Sequence, residues 1–96
     1  MKKKIYDYFV EWDDRKNEVN FGKHGISFET AAYVFNDADR IEYYDTAHNE
    51  FEDRYCTIGK VGDILFVVYA ERGNVLRLIS ARRATIREEG LYYGNR

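Results

Sequence analysis

Proline is missing altogether from these 96 residues, and cysteine occurs once, at Cys56. The first absence leaves no Pro-rich linker or spacer, so the chain reads as continuous structure joined by short turns. The second excludes an intramolecular disulfide and fits a reducing cytosol, with Cys56 as a small core or sheet residue. There is no run of about eighteen apolar residues, as a membrane span would need. The basic start Met1 to Lys4 leads into Asp7, Glu11, Asp13 and Asp14, where an export signal would carry an apolar stretch. The expected location is therefore cytoplasmic, without a membrane partner. Histidine is scarce: His24 and His48 are far apart and no His and Cys cluster exists, while the segment from Asp45 to Asp53 lacks the spacing of a calcium loop. The seven glycines are scattered, so no phosphate-cradling loop forms. Neither Ser27 nor Ser80 lies in a nucleophile elbow. Nucleotide-dependent enzymes, zinc enzymes and serine hydrolases fall away, and neither cofactor nor metal is expected. What remains is anion binding, or metal-free acid and base chemistry on a phosphodiester.

What is present is a folded composition, 45% hydrophobic, 17% aromatic and 33% charged, in a chain whose length suits a single domain over residues 1–96. The net charge of −2 argues against a surface that clings to nucleic acid all over, but the charges are unevenly spread. Seven carboxylates face Arg40 alone between Asp37 and Asp53, and five arginines with no carboxylate lie between Arg72 and Arg87. A two-sided molecule is expected, holding an anion on one side and a basic partner on the other. A solvated acidic loop beside a basic helix start explains the same pattern.

Alternation of apolar and polar residues predicts a first strand over Tyr6 to Trp12. Asp13 can cap a helix running to about His24, with Gly25 stopping it in a left-handed conformation. That helix places Lys16, Asn20, Lys23 and His24 on one side. Ser27 and Thr30 open a second helix whose stripe Phe28, Ala31, Ala32 and Phe35 belongs in the core. Strands follow around Arg40 to Tyr44, then Arg54 to Val61, Ile64 to Arg72 and Val75 to Arg82, the last three joined by hairpins. A helix from Thr85 to Tyr93 ends the chain, with Ile86, Leu91 and Tyr92 as core contacts. The sum is an α+β domain: a mostly antiparallel four- to five-stranded sheet with helices packed on one face.

Chemistry is carried by three groupings. Arg77 stands in mid-strand between apolar neighbours, so it is either paired with a carboxylate or faces a wet groove. Strict alternation puts it with Val75, Ile79, Ala81 and Arg83, and puts Arg82 with Leu76, Leu78 and Ser80 on the other face. With Arg54, these guanidinium forks can hold a phosphodiester if register brings them together. Lys23 and His24 can serve a phosphate and a proton, or merely complement the negative end of their helix. Tyr69 and Glu71 share a strand face, with Glu71 best read as the partner of an arginine across the hairpin.

Three phrases in order, FVEWDDRKNEVNFGKHGISFETAAYVF from Phe9, DRYCTIG from Asp53 and ISARRATIREEGLYY from Ile79, resemble the BrnT family of bacterial type II toxins. The resemblance implies a RelE-like fold, metal-free ribonuclease activity that arrests translation, and neutralisation by a cognate antitoxin. That antitoxin would be BrnA-like, of ribbon-helix-helix type, and would carry the complex to operator DNA. Family blocks fall at Trp12, Asp13, Lys16, Asn20, Lys23, His24, Gly25, Arg54, Arg77, Arg82 and Glu88. Of these, Lys23, His24, Arg54, Arg77 and Arg82 suit RNA cleavage, and Trp12 and Asp13 look structural. Two other readings stand beside it: a non-catalytic module that only binds an antitoxin and helps it repress, and a toxin that has lost its activity.

Overall fold

The structure is a computed structural model that describes residues 1–5, 7–45 and 52–94. Two short strands, β1 (Lys2–Ile5) and β2 (Tyr8–Glu11), precede helix α1 (Asp14–His24) and helix α2 (Phe28–Ala31), which tightens into a 3-10 turn over Ala32–Asn36. Strands β3 (Ile41–Tyr44), β4 (Arg54–Val61), β5 (Asp63–Arg72) and β6 (Val75–Arg83) follow, then helix α3 (Ile86–Gly94). All six strands form one sheet in the order β1-β2-β6-β5-β4-β3. Only the β2–β6 pair is parallel. Tyr6 and most of the loop expected at Asp45 to Asp53, His48 included, lie outside the described residues.

The local expectations for the first half hold for physical reasons visible in the structure. The Asp13 carboxylate accepts hydrogen bonds from the backbone N–H groups of Arg15 and Lys16, and Gly25 closes α1 at φ 71°. Ser27 caps α2 through Thr30 N–H. Phe28, Ala31, Ala32, Val34 and Phe35 are buried against Val10, Leu65, Val67, Tyr69, Leu76 and Leu78. Gly59 makes this contact possible, because a Cβ there would stand 2.6 Å from a Val34 methyl carbon.

Two features of the expected architecture are corrected. The sheet has six strands rather than four or five. The extra one is the lysine-rich β1, whose charges hide any apolar alternation but suit a solvent-facing edge strand. Helices also pack on both faces rather than one. Side chains alternate along β4, so Ile58 points away from the face that Thr57 and Gly59 share. There Ile58 and Ile64 form a smaller cluster with Tyr92 of α3. Only Tyr92 of the three expected α3 core contacts is buried; Ile86 is 90% exposed and Leu91 40%. The register explains this, since Glu88 and Tyr92, four residues apart, face the sheet and leave the other side of α3 to solvent. Among the described residues no helix is long and apolar enough to cross a membrane.

Candidate active site

The register of the sheet decides where the arginines go. Arg54 pairs with Ala70, Ala70 with Arg77, and Arg77 with Glu11, so one row crosses β4, β5, β6 and β2. Residues in such a row point to the same face, and two strand spacings separate the Arg54 and Arg77 backbones by about 10 Å. Ala70 between them is fully buried, a small floor beneath two long side chains. The Arg77 guanidinium donates to Glu11 Oε2 at 2.7 Å, and among the described residues its other N–H groups have no hydrogen-bond partner. Arg54 is less satisfied still. Among the described residues its one ion pair is a long contact of 3.9 Å from Nε to Glu52 Oε1, and that buried Nε has no hydrogen-bond partner there.

Arg82 joins the same face through an irregularity that alternation did not anticipate. Tyr69 pairs with Leu78 but Val68 pairs with Ser80, so Ile79 is an extra residue bulged out of β6. The bulge shifts the alternation by one, and Ser80 and Arg82 then share the face of Arg77, not the opposite one. Arg82 lies 4.2 Å over the Phe66 ring and grips Glu88 with both arms, at 2.7 and 2.9 Å. Glu88 also accepts from Thr85 N–H, while Thr85 Oγ1 accepts from Glu88 N–H, a reciprocal capping box at the start of α3. The Arg82 contact holds the Glu88 carboxyl below its ordinary value of 4.5. Both terminal nitrogens of Arg82 are thus engaged with α3.

Lys23 and His24 sit elsewhere, on the last turn of α1. Strand β2 ends at Glu11, which leaves the β6 edge beyond Arg77 without a strand neighbour. Helix α1 covers it: the buried Asn20 amide accepts from Ala81 N–H at 3.1 Å and donates to Ala81 C=O at 2.9 Å and Ile26 C=O at 3.0 Å. Between α1 and the bulge lies a groove of about 410 Å³ lined by Asp13, Arg15, Lys16, Val19, Asn20, Lys23, His24, Ile79 and Ser80. Ser80 of the groove shares the sheet face of Arg77. Asp13 at its rim is held below the ordinary carboxylate value mainly by the Lys16 N–H, with a smaller contribution from the Arg77 charge.

The third grouping is dismantled. Tyr69 and Glu71 do share a face, but Glu71 pairs with Leu76 and turns away from the arginine row, and among the described residues it forms no ion pair. The buried Tyr69 hydroxyl instead donates to Glu42, and burial pushes its pKa up. Arg40 binds Glu42 and Thr57, completing a network that ties β3 to the core. Cys56 is half-buried and free, its thiol pKa raised by burial. Among the described residues, no three His, Cys, Asp or Glu side chains converge as a metal site.

One residue of the site was missed. Glu11 was legible only as a polar position of the first strand, because its partnership with Arg77 depends on a parallel pairing between strands 66 residues apart. No local signal announces such a pairing.

Comparison with known proteins places these residues in context. The family model described as the ribonuclease toxin BrnT of type II toxin-antitoxin systems matches residues 12–88. That span takes in the α1 groove and all three arginines. A crystal structure of the Brucella abortus ribonuclease toxin BrnT is similar, with 26% identity, a TM-score of 0.64, and coverage of 79% of this chain and 95% of that one. No curated protein sequence matches the chain.

Proposed function

Since the chain belongs to the BrnT family of ribonuclease toxins of type II toxin-antitoxin systems, we propose that it is an endoribonuclease that cleaves RNA without a metal and is silenced by a cognate antitoxin. The observation that carries the site assignment is the buried Nε of Arg54, which has no hydrogen-bond partner among the described residues and lies in one row with Arg77. A buried donor without an acceptor costs free energy, and a phosphodiester oxygen between the two forks would relieve it. In this reading the 2'-hydroxyl of the substrate attacks the adjacent phosphorus, the 5'-oxygen leaves, and the product carries a 2',3'-cyclic phosphate. Arg54 and Arg77 stabilise the charge that grows on the phosphoryl oxygens. Lys23 and His24, across the groove, hold a second phosphate and move the proton. Glu11 orients Arg77, and Arg82 fixes α3 beside the site. An antitoxin of ribbon-helix-helix type that brings the complex to operator DNA, a RelE-like fold and a cytoplasmic setting belong to the same proposal.

Arg54→Ala tests it. Loss of a donor to a developing oxyanion typically costs 10²–10³-fold in rate, so cleavage and growth arrest should fall by about that factor. The melting temperature should hold or rise, because an unsatisfied group has gone. An Arg54→Ala protein that stays toxic and cleaves at the original rate removes the arginine row from the chemistry. Cleavage that stops in a chelator, or products ending in a 3'-hydroxyl, would contradict the metal-free route. A second reading, a partner-binding module without activity, draws on the carboxylates already held by Arg77 and Arg82. It predicts antitoxin binding by a wild-type protein that leaves RNA intact.

A further inference from the structure

The groove between α1 and β6 has a use that proton transfer and phosphate holding leave over. Its wall carries two apolar side chains with no part in the core: Val19, 59% exposed, and Ile79, pushed out of the ladder by the bulge. A valine that open on a helix facing a concavity invites a flat apolar partner. The rim is cationic. Arg15, Lys16 and Lys23 form no ion pairs among the described residues, and the one acidic group, Asp13, is engaged in capping α1. Ser80 presents a hydroxyl beside Ile79 that makes no hydrogen bond among the described residues. An apolar wall, a cationic rim and one free hydroxyl together match an unpaired nucleotide: base, phosphate and base edge.

We infer that the α1–β6 groove seats one unpaired nucleotide of the RNA, its base against Val19 and Ile79 and its phosphate at Lys16 and Lys23, with Ser80 reading the base edge. The inference rests on the ribonuclease reading for its ligand class but not for its test. Ser80 shares the face of Arg77 and Asp13 at the rim feels the Arg77 charge, so this nucleotide flanks the scissile phosphate and sets which base is preferred there. Val19 and Ser80 are specificity-determining positions; neither touches the reacting atoms.

The test is binding of a short single-stranded oligoribonucleotide whose 2'-hydroxyls are replaced by hydrogen, so that nothing can be cleaved. Wild type is compared with Val19→Ser, Ser80→Ala and, as control, Phe21→Ser, which alters an exposed apolar residue of the same helix that does not line the groove. Val19→Ser should weaken binding about fivefold through lost apolar contact. Ser80→Ala should even out affinities among oligonucleotides that differ in one base, and Phe21→Ser should bind as wild type. Equal affinity of wild type and Val19→Ser, or no binding by wild type, overturns the inference. Cleavage of the corresponding RNA is read separately: binding that depends on Val19 in a protein that cannot cut keeps the subsite and refutes the ribonuclease.

Discussion

Asn20 shows how much one side chain can hold. Its amide uses both N–H groups and its oxygen on three backbone groups, standing in for the strand neighbour that β6 lacks beyond Arg77. Asn20→Ala would strand Ala81 N–H, Ala81 C=O and Ile26 C=O in a buried setting. At 1–3 kcal/mol per unsatisfied group, less whatever water recovers, a loss of about 3 kcal/mol is expected in urea unfolding. A loss below about 0.5 kcal/mol would mean that water satisfies the edge unaided, and the edge-covering role would be wrong. The sequence was readable here only up to a point. Helical spacing put Asn20 on the side of Lys16, Lys23 and His24, where it stands. Its partner, 61 residues away, depends on tertiary packing and left no local trace. The same holds for Glu11 and Arg77, whereas the Asp13, Ser27 and Gly25 caps were legible because capping is a matter of neighbours.

Among the elements, α3 is tied down at its first turn by one carboxylate, while Tyr92 packs its far end against the sheet. Glu88 caps the helix through Thr85 and ties it to the sheet through Arg82. Glu88→Gln keeps a side chain able to complete the capping box and removes the charge, so it isolates the ion pair. The Glu88 carboxyl is lowered in the folded protein, so its contribution is complete above the unfolded value of 4.5 and is lost as pH falls through the lower folded value. Wild type should therefore exceed Glu88→Gln by about 1 kcal/mol at neutral pH, and the gap should close as pH falls below the unfolded value and through the lower folded one. Urea titrations of both proteins across that range check it, and a gap independent of pH would show that the charge is not the cause. At this scale the strand positions were legible to within a residue or two, because β-branched runs and turn residues are local. The one-residue bulge at Ile79 was not. No residue in ISARRA announces it, yet it decides that Arg77 and Arg82 share a face.

For the whole molecule, the uneven run of charges promised two sides, but the fold interleaves them. Glu52 from the acidic stretch meets Arg72 and Arg54, Asp63 meets Arg83, and Glu88 meets Arg82. Neutralisation across strands ties down most of the strand arginines, while Arg15, Lys16 and Lys23 beside the groove on α1 form no ion pair among the described residues. This has a measurable consequence for a single-stranded RNA ligand. Each neutralised phosphate contributes about −0.7 to the slope of log K against log salt concentration, so one phosphate at Lys16 and Lys23 and one between Arg54 and Arg77 imply a slope of about −1.4. A molecule with one face of five free arginines would instead approach −3.5. The slope should be measured with the non-cleavable oligonucleotide over about 50 to 200 mM potassium chloride, where the screening length changes appreciably. Lys23→Ala should make it shallower by about 0.7, whereas Arg83→Ala, whose partner Asp63 already holds its charge, should leave it unchanged. A steep slope that responds equally to both variants would mean that RNA spreads over the whole basic surface, and the α1 groove and arginine row would lose their claim to be the binding site.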